Sequence, residues 1–169
     1  MSASKVLVVM GSDSDWAVME SCVDQLSYFG IESDARVCSA HRTPDVAHAL
    51  ARGAADSGFS VVIAAAGHAA HLAGVMAAGT VLPVIGVPLD SSALDGLDAL
   101  LATVQMPPGV PVATVAIGKP GAINAAVLAA QVIGVSDNAV REKVVEHKVK
   151  MAETVADKDA RLRARNSEA

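Results

Sequence analysis

Residues 6–16 are VLVVMGSDSDW, an unbroken apolar run followed by a glycine and a short segment rich in hydroxyls and carboxylates. A run of aliphatic residues without polar alternation predicts a strand buried on both faces, as in a parallel sheet. Gly11 closes the run and permits a tight turn. The helical pattern over residues 14–29 predicts that this turn leads directly into a helix. The stretch is therefore typical of the first half of a β-α-β unit.

The same alternation of a short apolar run and a longer helical segment recurs along the chain. Further strands are predicted at residues 33–38, 60–65, 83–87 and 112–117. The second helix is predicted at residues 44–57, with Thr43 as its N-cap. Three more helices are predicted from the loop after the third strand to Gly79, at 94–104 and at 121–133. A last helix is predicted from residue 137 to about 158, and the final ten residues are predicted to be frayed. This order predicts an α/β fold, a flavodoxin-like three-layer α/β/α sandwich with a five-stranded parallel sheet and an extra C-terminal helix.

The 169 residues contain no linker, internal repeat or low-complexity segment. We therefore expect a single domain over residues 1–169, with a core at 5–134 and a C-terminal helix and tail at 135–169. Composition shifts only in that last, charged helix. It is expected either to pack on its own domain or to reach across to a neighbouring subunit.

The composition of the chain excludes or disfavours several classes of protein. The chain is 52% hydrophobic and 18% charged, which excludes a disordered chain, and its net charge of −5 disfavours nucleic acid or an anionic membrane as a partner. No apolar stretch is long enough to span a membrane without a charge or a Gly/Pro break, and the first residues lack the pattern of a secretory signal, so a cytoplasmic location is expected. Cys22 and Cys38 are predicted to be reduced and buried.

Ligands of open α/β sheets bind outside the carboxyl ends of the strands. That rule selects the loops at residues 11–15, 39–44, 66–74 and 88–93. In the first, Ser12 and Ser14 offer hydroxyls beside a helix N-terminus, which suits a phosphate. Ser14 or Asp15 can equally serve as a helix cap, and an Asp here suits sugar hydroxyls better than a phosphate.

The second and third loops carry the titratable groups. His41 beside Arg42 suits a proton carrier next to an anion clamp, and a surface His with an Arg paired to a helix carboxylate is the alternative. In the third loop, small residues allow close backbone approach to a ligand. His68 and His71 are weak as a metal pair because no third ligand lies nearby in sequence, so no metal is expected. His48 and His147 are predicted to lie on helix surfaces.

Several motifs occur in order along the chain: VMGSDSDW at 9–16, SAHRTP at 39–44, AAHL at 69–72, VIGVP at 84–88, and a long stretch from VQMP at 104–107 through AIG at 116–118 to NAA at 124–126. Together they closely resemble the bacterial (class I) N5-carboxyaminoimidazole ribonucleotide mutase family of purine biosynthesis. The resemblance covers roughly residues 5–134.

The resemblance implies a flavodoxin-like homo-octamer and an isomerase that uses no cofactor and no metal. The family moves a carboxylate from the exocyclic N5 to C4 of the imidazole ring of a ribonucleotide, with CO2 as an enclosed intermediate. It further implies that His41 carries the proton with His71 beside it, and that the substrate meets the other site residues: the phosphate at Ser12 and Arg42, the ribose at Asp15, and the carboxylate in a pocket shaped by Ser39 and Gly67.

Three positions depart from the family pattern. His68 stands where many relatives have Gly, Ala73 replaces a frequent Pro, and Asp13 replaces a Lys of some relatives. They bear on affinity and pH profile more than on the reaction.

Two alternatives remain. One is an aminoimidazole ribonucleotide carboxylase that uses free CO2 on the same fold. The other is a non-enzymatic flavodoxin-like binding module. Against such a module, strand three ends in Ala64-Ala65-Ala66 without a phosphoacceptor Asp, and Trp16 is the only aromatic residue in these loops.

Overall fold

The computed structural model describes residues 4–167 and contains a five-stranded, all-parallel sheet. The strand order is β2-β1-β3-β4-β5. The strands are β1 (Lys5–Met10), β2 (Glu32–Val37), β3 (Phe59–Ala66), β4 (Val84–Pro88) and β5 (Ala113–Thr114). The predicted flavodoxin-like architecture is confirmed. Because all strands run the same way, the loops that follow them meet at one edge of the sheet.

Helices cover both faces of the sheet. They are α1 (Trp16–Tyr28), preceded by a short 3-10 helix at Asp13–Asp15, then α2 (Pro44–Gly53), α3 (Leu72–Gly79), α4 (Leu97–Val104), α5 (Gly118–Ile133) and α6 (Asn138–Ser167). Alternate residues of β1 face opposite layers. Val6 and Val8 pack in one core with residues of α1 and α5, whereas Leu7 and Val9 pack in a second core with residues of α2 and α3. Burial on both sides explains the unbroken apolar run.

Both cysteines are free and buried, as predicted. Burial raises the pKa of the Cys22 thiol to about 12, so this group stays a protonated thiol at neutral pH.

Four boundaries of the predicted core elements are wrong, the first being that of α5, which begins at Gly118 rather than at residue 121. Helix α2 ends at Gly53 rather than at residue 57, because residues 54–58 form turns that end at Gly58 with φ +80°. Helix α4 begins at Leu97 rather than at residue 94, because Asp95 and Gly96 have φ values of +51° and +82°, which a right-handed helix does not allow. Strand β5 is two residues long rather than six, because only Ala113 and Thr114 pair with β4.

Thr43 precedes α2 as predicted, but its side chain does not cap the helix. Its hydroxyl accepts a hydrogen bond from the Ser39 N–H at 2.9 Å and lies 3.2 Å from the Ser39 carbonyl oxygen, to which it donates. Thr43 therefore joins the two ends of the segment 39–43 by hydrogen bonds, and this restrains the residues between them, which include His41 and Arg42.

The first part of α6 packs on its own domain. The Asp137 carboxylate accepts hydrogen bonds from the N–H groups of Ala139 and Val140 at 3.0 and 3.2 Å, and this caps the helix. Val140 and Val144 are buried in the same core as α5. His147, predicted to lie on the surface, is half-buried. Its ring packs edge-on against the rings of Tyr28 and Phe29, with centroid distances of 5.7 and 5.4 Å.

The predicted end of this helix is wrong as well. Helix α6 runs to Ser167, so residues 160–167 are helical rather than frayed, and residues 168–169 lie outside the described part of the chain. Every residue from 148 to 166 is exposed. Residues 1–3, which contribute to the expectation of no secretory signal, also lie outside the described residues. Within residues 4–167, no helix is long and apolar enough to cross a bilayer.

Candidate functional site

A cavity of about 410 Å³ opens at the carboxyl edge of the sheet, where the strand order reverses between β1 and β3. All seven residues singled out by sequence line this cavity, namely Ser12, Asp15, Ser39, His41, Arg42, Gly67 and His71. They come from the loops after β1, β2 and β3. The expectation that a ligand site lies in the loops after the strands therefore identified the place of the cavity. The structure brings all seven predicted site residues together there.

The loop after β1 is a capped turn. Ser12 and Asp15 form a capping box: the Asp15 carboxylate accepts from the Ser12 N–H at 3.0 Å, and the Ser12 hydroxyl accepts from the Ser14 N–H at 3.4 Å. The Ser14 hydroxyl donates to that of Ser12 at 3.0 Å. A cap is therefore present, but the capping residue is Ser12: Asp15 completes the box from the third position of the short helix, and neither Ser14 nor Asp15 caps α1 with its side chain. Because the same side chains also line the cavity, capping fixes them in place at its wall.

Burial raises the pKa of the Asp15 carboxyl above its ordinary value of 3.8. Hydrogen bonds from the Ser12 and Gly11 N–H groups and the positive charge of Arg42 act in the opposite direction without cancelling it. Such a carboxylate gains from hydroxyl donors that enter the cavity, because they replace the water it has lost.

Arg42 ties the loop after β2 to the loop after β1. One guanidinium nitrogen donates to the Gly11 carbonyl at 2.8 Å, and the backbone N–H of Arg42 donates to the Ser39 hydroxyl at 3.2 Å. The alternative of an Arg paired to a helix carboxylate does not describe these contacts. The guanidinium has further N–H donors for an anion in the cavity, which it also lines.

His41 and His71, thirty positions apart in sequence, form a hydrogen-bonded pair. Nε2 of His41 lies 2.8 Å from Nδ1 of His71, and the two rings meet edge-on at 78° with centroids 4.9 Å apart. One of the two bridging nitrogens must carry a proton and the other must not. The pair therefore accommodates two neutral rings or one imidazolium.

The loop after β3 also carries His68, whose ring contacts Ser91 and not His41. Its Nδ1 lies 3.4 Å from the Ser91 hydroxyl, in the loop between β4 and α4, so His68 and His71 do not converge. Across residues 4–167, no three His, Cys, Asp or Glu side chains are grouped as metal ligands. Ser91 also lines the cavity. Its loop, residues 88–93, is among those selected by position after a strand, but sequence reasoning did not single out Ser91 within it.

Comparison with known proteins identifies the relatives of the chain. The family model described as AIR carboxylase matches residues 5–154. The N5-carboxyaminoimidazole ribonucleotide mutase of Mycobacterium tuberculosis is 53% identical over 94% of this chain and 90% of its own length. The mutase of the same name from Brucella melitensis is 52% identical (90% and 94%), and that from Bacillus subtilis is 48% identical (92% and 96%).

Solved structures agree with the sequence comparison. The crystal structure of Treponema denticola PurE superposes with a TM-score of 0.86 at 27% identity and covers 94% of this chain and 98% of that one. Because the family model matches residues 5–154 and relatives of that family are about half identical over most of the chain, the chain belongs to the AIR carboxylase family.

Proposed function

We propose that this protein is an isomerase of de novo purine biosynthesis that converts N5-carboxyaminoimidazole ribonucleotide to 4-carboxy-5-aminoimidazole ribonucleotide. Relatives of 48–53% identity carry the name of this mutase. The observation that carries the mechanism is the contact of 2.8 Å between His41 and His71 at the wall of the cavity. The reaction needs one proton delivered and one removed, and an imidazole does both near neutral pH.

The ribonucleotide binds across the loops after β1 and β2. Ser12 and Arg42 take the phosphate, since a hydroxyl and a guanidinium are both donors and Arg42 supplies the charge. Asp15 takes the ribose hydroxyls, which supply the donors that its half-buried carboxylate accepts. The bond from Arg42 to the Gly11 carbonyl supports this arrangement, because it brings the cation beside the turn that ends β1.

The chemistry proceeds in two steps with His41 as the proton carrier. His41 gives a proton to N5 of the carbamate, the N–C bond breaks, and CO2 leaves with the amine neutral. C4 of the ring then attacks CO2, a C–C bond forms, and the proton on C4 returns to His41. No proton is gained or lost overall. His71 holds His41 in orientation and shares its charge through their contact.

Retention of CO2 requires a tight pocket beside the ring. Ala66 at the end of β3 and Ala69 in the loop that follows carry only a methyl group, Gly67 has no side chain, and Ser39 lines the same cavity from the loop after β2. Short side chains allow backbone groups to close around a small molecule and displace water, and proximity then favours recapture at C4 over escape.

The test is turnover by the purified chain on two substrates. We expect conversion of N5-carboxyaminoimidazole ribonucleotide, and much slower carboxylation of aminoimidazole ribonucleotide supplied with bicarbonate. The second arm matters because the matching family model is described as AIR carboxylase. Equal rates in the two arms would assign the carboxylase activity instead. Failure in both arms, with purified protein that is folded, would favour a non-enzymatic module.

The assembly expected from the family resemblance, a homo-octamer, is also part of this proposal. It is supported by the outer part of α6, where Val149, Val155 and Leu162 are 51%, 65% and 57% exposed. Burial of these side chains against a second subunit would remove apolar area from water. Sedimentation velocity should give eight times the chain mass of 17.1 kDa, and Val155→Asp should lower it. A monomer at micromolar concentration would refute this assembly.

A cytoplasmic location and a small-molecule partner, with no nucleic acid or membrane, complete the proposal. Purine biosynthesis supplies a soluble, phosphorylated substrate, and the net charge of −5 opposes binding to polyanions. Fractionation of cells that express the chain at native level tests the location, and recovery in the membrane pellet would contradict it.

A further inference from the structure

The loop between β3 and α3 contacts neighbours on both sides through its two histidines. On one side, His71 meets His41 of the loop after β2 at 2.8 Å. On the other side, Nδ1 of His68 meets the Ser91 hydroxyl of the loop after β4 at 3.4 Å. In the sheet order β2-β1-β3-β4, these partners lie on opposite sides of β3. The loop is therefore held between two side-chain contacts.

His68 makes its contact from an unfavourable backbone conformation. Its φ is +52°, in the left-handed region that favours glycine, and its side chain is exposed rather than packed in the core. Such a conformation persists only where local contacts compensate for it, and in enzymes it concentrates at functional sites. Of the described residues other than glycine, Asp95 alone shares this feature.

The residues that flank Ser91 are hydrogen-bonded to the rest of the domain, and the Ser91 side chain lies against the loop after β3. The backbone at Gly67 approaches it so closely that a Cβ at position 67 would overlap the Ser91 hydroxyl. Next to it, the Ser92 hydroxyl donates to the Asp98 carboxylate of α4 at 2.7 Å. The Leu89 N–H donates to the Ala66 carbonyl at 3.0 Å and extends the pairing of β3 and β4 towards this point.

From this arrangement we infer that His68 is a positioning residue, which latches the loop after β3 to Ser91 and so keeps His71 within reach of His41. The inference rests on the proposed function, because the positioned group is its proton carrier. His68 lines the same cavity, but its ring is committed to Ser91 on the side away from the loop that carries Arg42. Its effect should therefore fall on the chemical step and spare binding of the phosphate.

Two substitutions at position 68 distinguish loss of the contact with Ser91 from a change in backbone conformation. His68→Gly removes the side chain and relieves the left-handed strain, so the variant should fold at least as well as the wild type. His68→Asn keeps the latch, because the amide oxygen and nitrogen of Asn branch from Cγ as Nδ1 of His does, and Asn tolerates positive φ. Ser91→Ala removes the partner hydroxyl.

We expect His68→Gly and Ser91→Ala each to lower kcat about three- to tenfold, the scale of one lost hydrogen bond, while KM changes less than about twofold. The double variant should lose no more than either single variant, and His68→Asn should recover kcat to within about twofold of the wild type. Unchanged kcat in His68→Gly, additive losses in the double variant, or a loss in His68→Asn equal to that in His68→Gly would each overturn the latch.

A second readout needs no turnover. Long-range 15N–1H spectra of the free protein report the imidazoles of His41 and His71, and these signals should move in His68→Gly and stay in place in His68→Asn. If the wild type converts no substrate, the proposed function fails while these spectra still test the latch. Signals of His41 and His71 that are identical in the wild type and His68→Gly would overturn the latch even in an active enzyme.

Discussion

Replacing His41 by glutamine separates the observed contact of its imidazole with His71 from the proton exchange that we propose for it. The atom in contact is Nε2, the outer nitrogen, 2.8 Å from Nδ1 of His71. A glutamine amide extends one bond further than that of asparagine and approaches the position of this nitrogen, so His41→Gln can still donate to His71. An amide does not exchange protons near neutral pH. His41→Asn loses both the reach and the proton.

The two roles differ in the loss of rate that their removal would cause. Removal of a general acid–base group costs about 10²- to 10⁴-fold in rate. Loss of one hydrogen bond costs about 0.5–1.5 kcal/mol, which corresponds to about 2- to 13-fold. Because these ranges do not overlap, kcat alone identifies the role of His41. We expect both variants to lose about 100-fold or more, with little change in thermal stability, since both imidazoles of the pair are exposed.

The assay follows formation of 4-carboxy-5-aminoimidazole ribonucleotide under saturating substrate, with circular dichroism to confirm folding. His71→Asn is the matched control: Asn reproduces the position of Nδ1, the atom of His71 in the contact, so His41 keeps its partner and its proton. This variant should lose less than His41→Gln. The reasoning is refuted if His41→Gln retains kcat within about 13-fold of the wild type, because His41 would then only hold His71.

Three further predictions concern binding, pH and packing. Arg42→Ala should weaken binding of the product ribonucleotide at least about tenfold by calorimetry, because a charged hydrogen bond is worth about 1.5–3 kcal/mol. Asp15→Asn should gain stability relative to the wild type from about pH 4 to about pH 7 in urea titrations. The raised pKa of Asp15 means that the folded state holds the proton more tightly than the unfolded chain, so ionisation opposes folding as pH rises. Gly86→Ala should cost about 1–3 kcal/mol, because a Cβ on this buried strand would overlap Thr103 Cγ2.

Each of these has its own control. Arg42→Lys keeps the charge without the planar fork and should recover part of the affinity, whereas equal affinities in Arg42→Ala and the wild type would remove Arg42 from the phosphate site. A constant stability difference between Asp15→Asn and the wild type across this pH range would contradict the burial argument. Gly53→Ala adds the same methyl group in α2, where nothing lies within 4 Å, and should gain up to about 1 kcal/mol. Equal losses at Gly53 and Gly86 would show that packing is not the cause.

Hydrophobic pattern and chain direction were enough to predict the fold and the place of the site. Residues 6–10 are apolar without interruption because both faces of β1 are covered, and this signal exists in sequence before any contact is known. Parallel strands send all their following loops to one edge, so Asp15, Arg42 and His71 could be assigned to one cavity from their position after a strand.

Element boundaries were less accessible, because they depend on contacts distant in sequence. Strand β5 has two residues because only Ala113 and Thr114 pair with β4, whose residues Ile85 and Gly86 lie 28 positions earlier in the chain. His147 looked like a surface residue from helical pattern alone. Its ring packs on Tyr28 and Phe29, more than a hundred positions earlier, and only the chain path brings them together.

The sequence by itself determined that this is a doubly wound α/β protein with hydroxyl, guanidinium and imidazole groups after its first three strands, because these features follow from local pattern and strand direction. Tertiary structure decided which nitrogen of His41 meets His71, that the caps of the first turn also line the cavity, and that His68 turns towards Ser91. The two histidine contacts join residues 30 and 23 positions apart, and their distances depend on how the loops pack across the sheet edge.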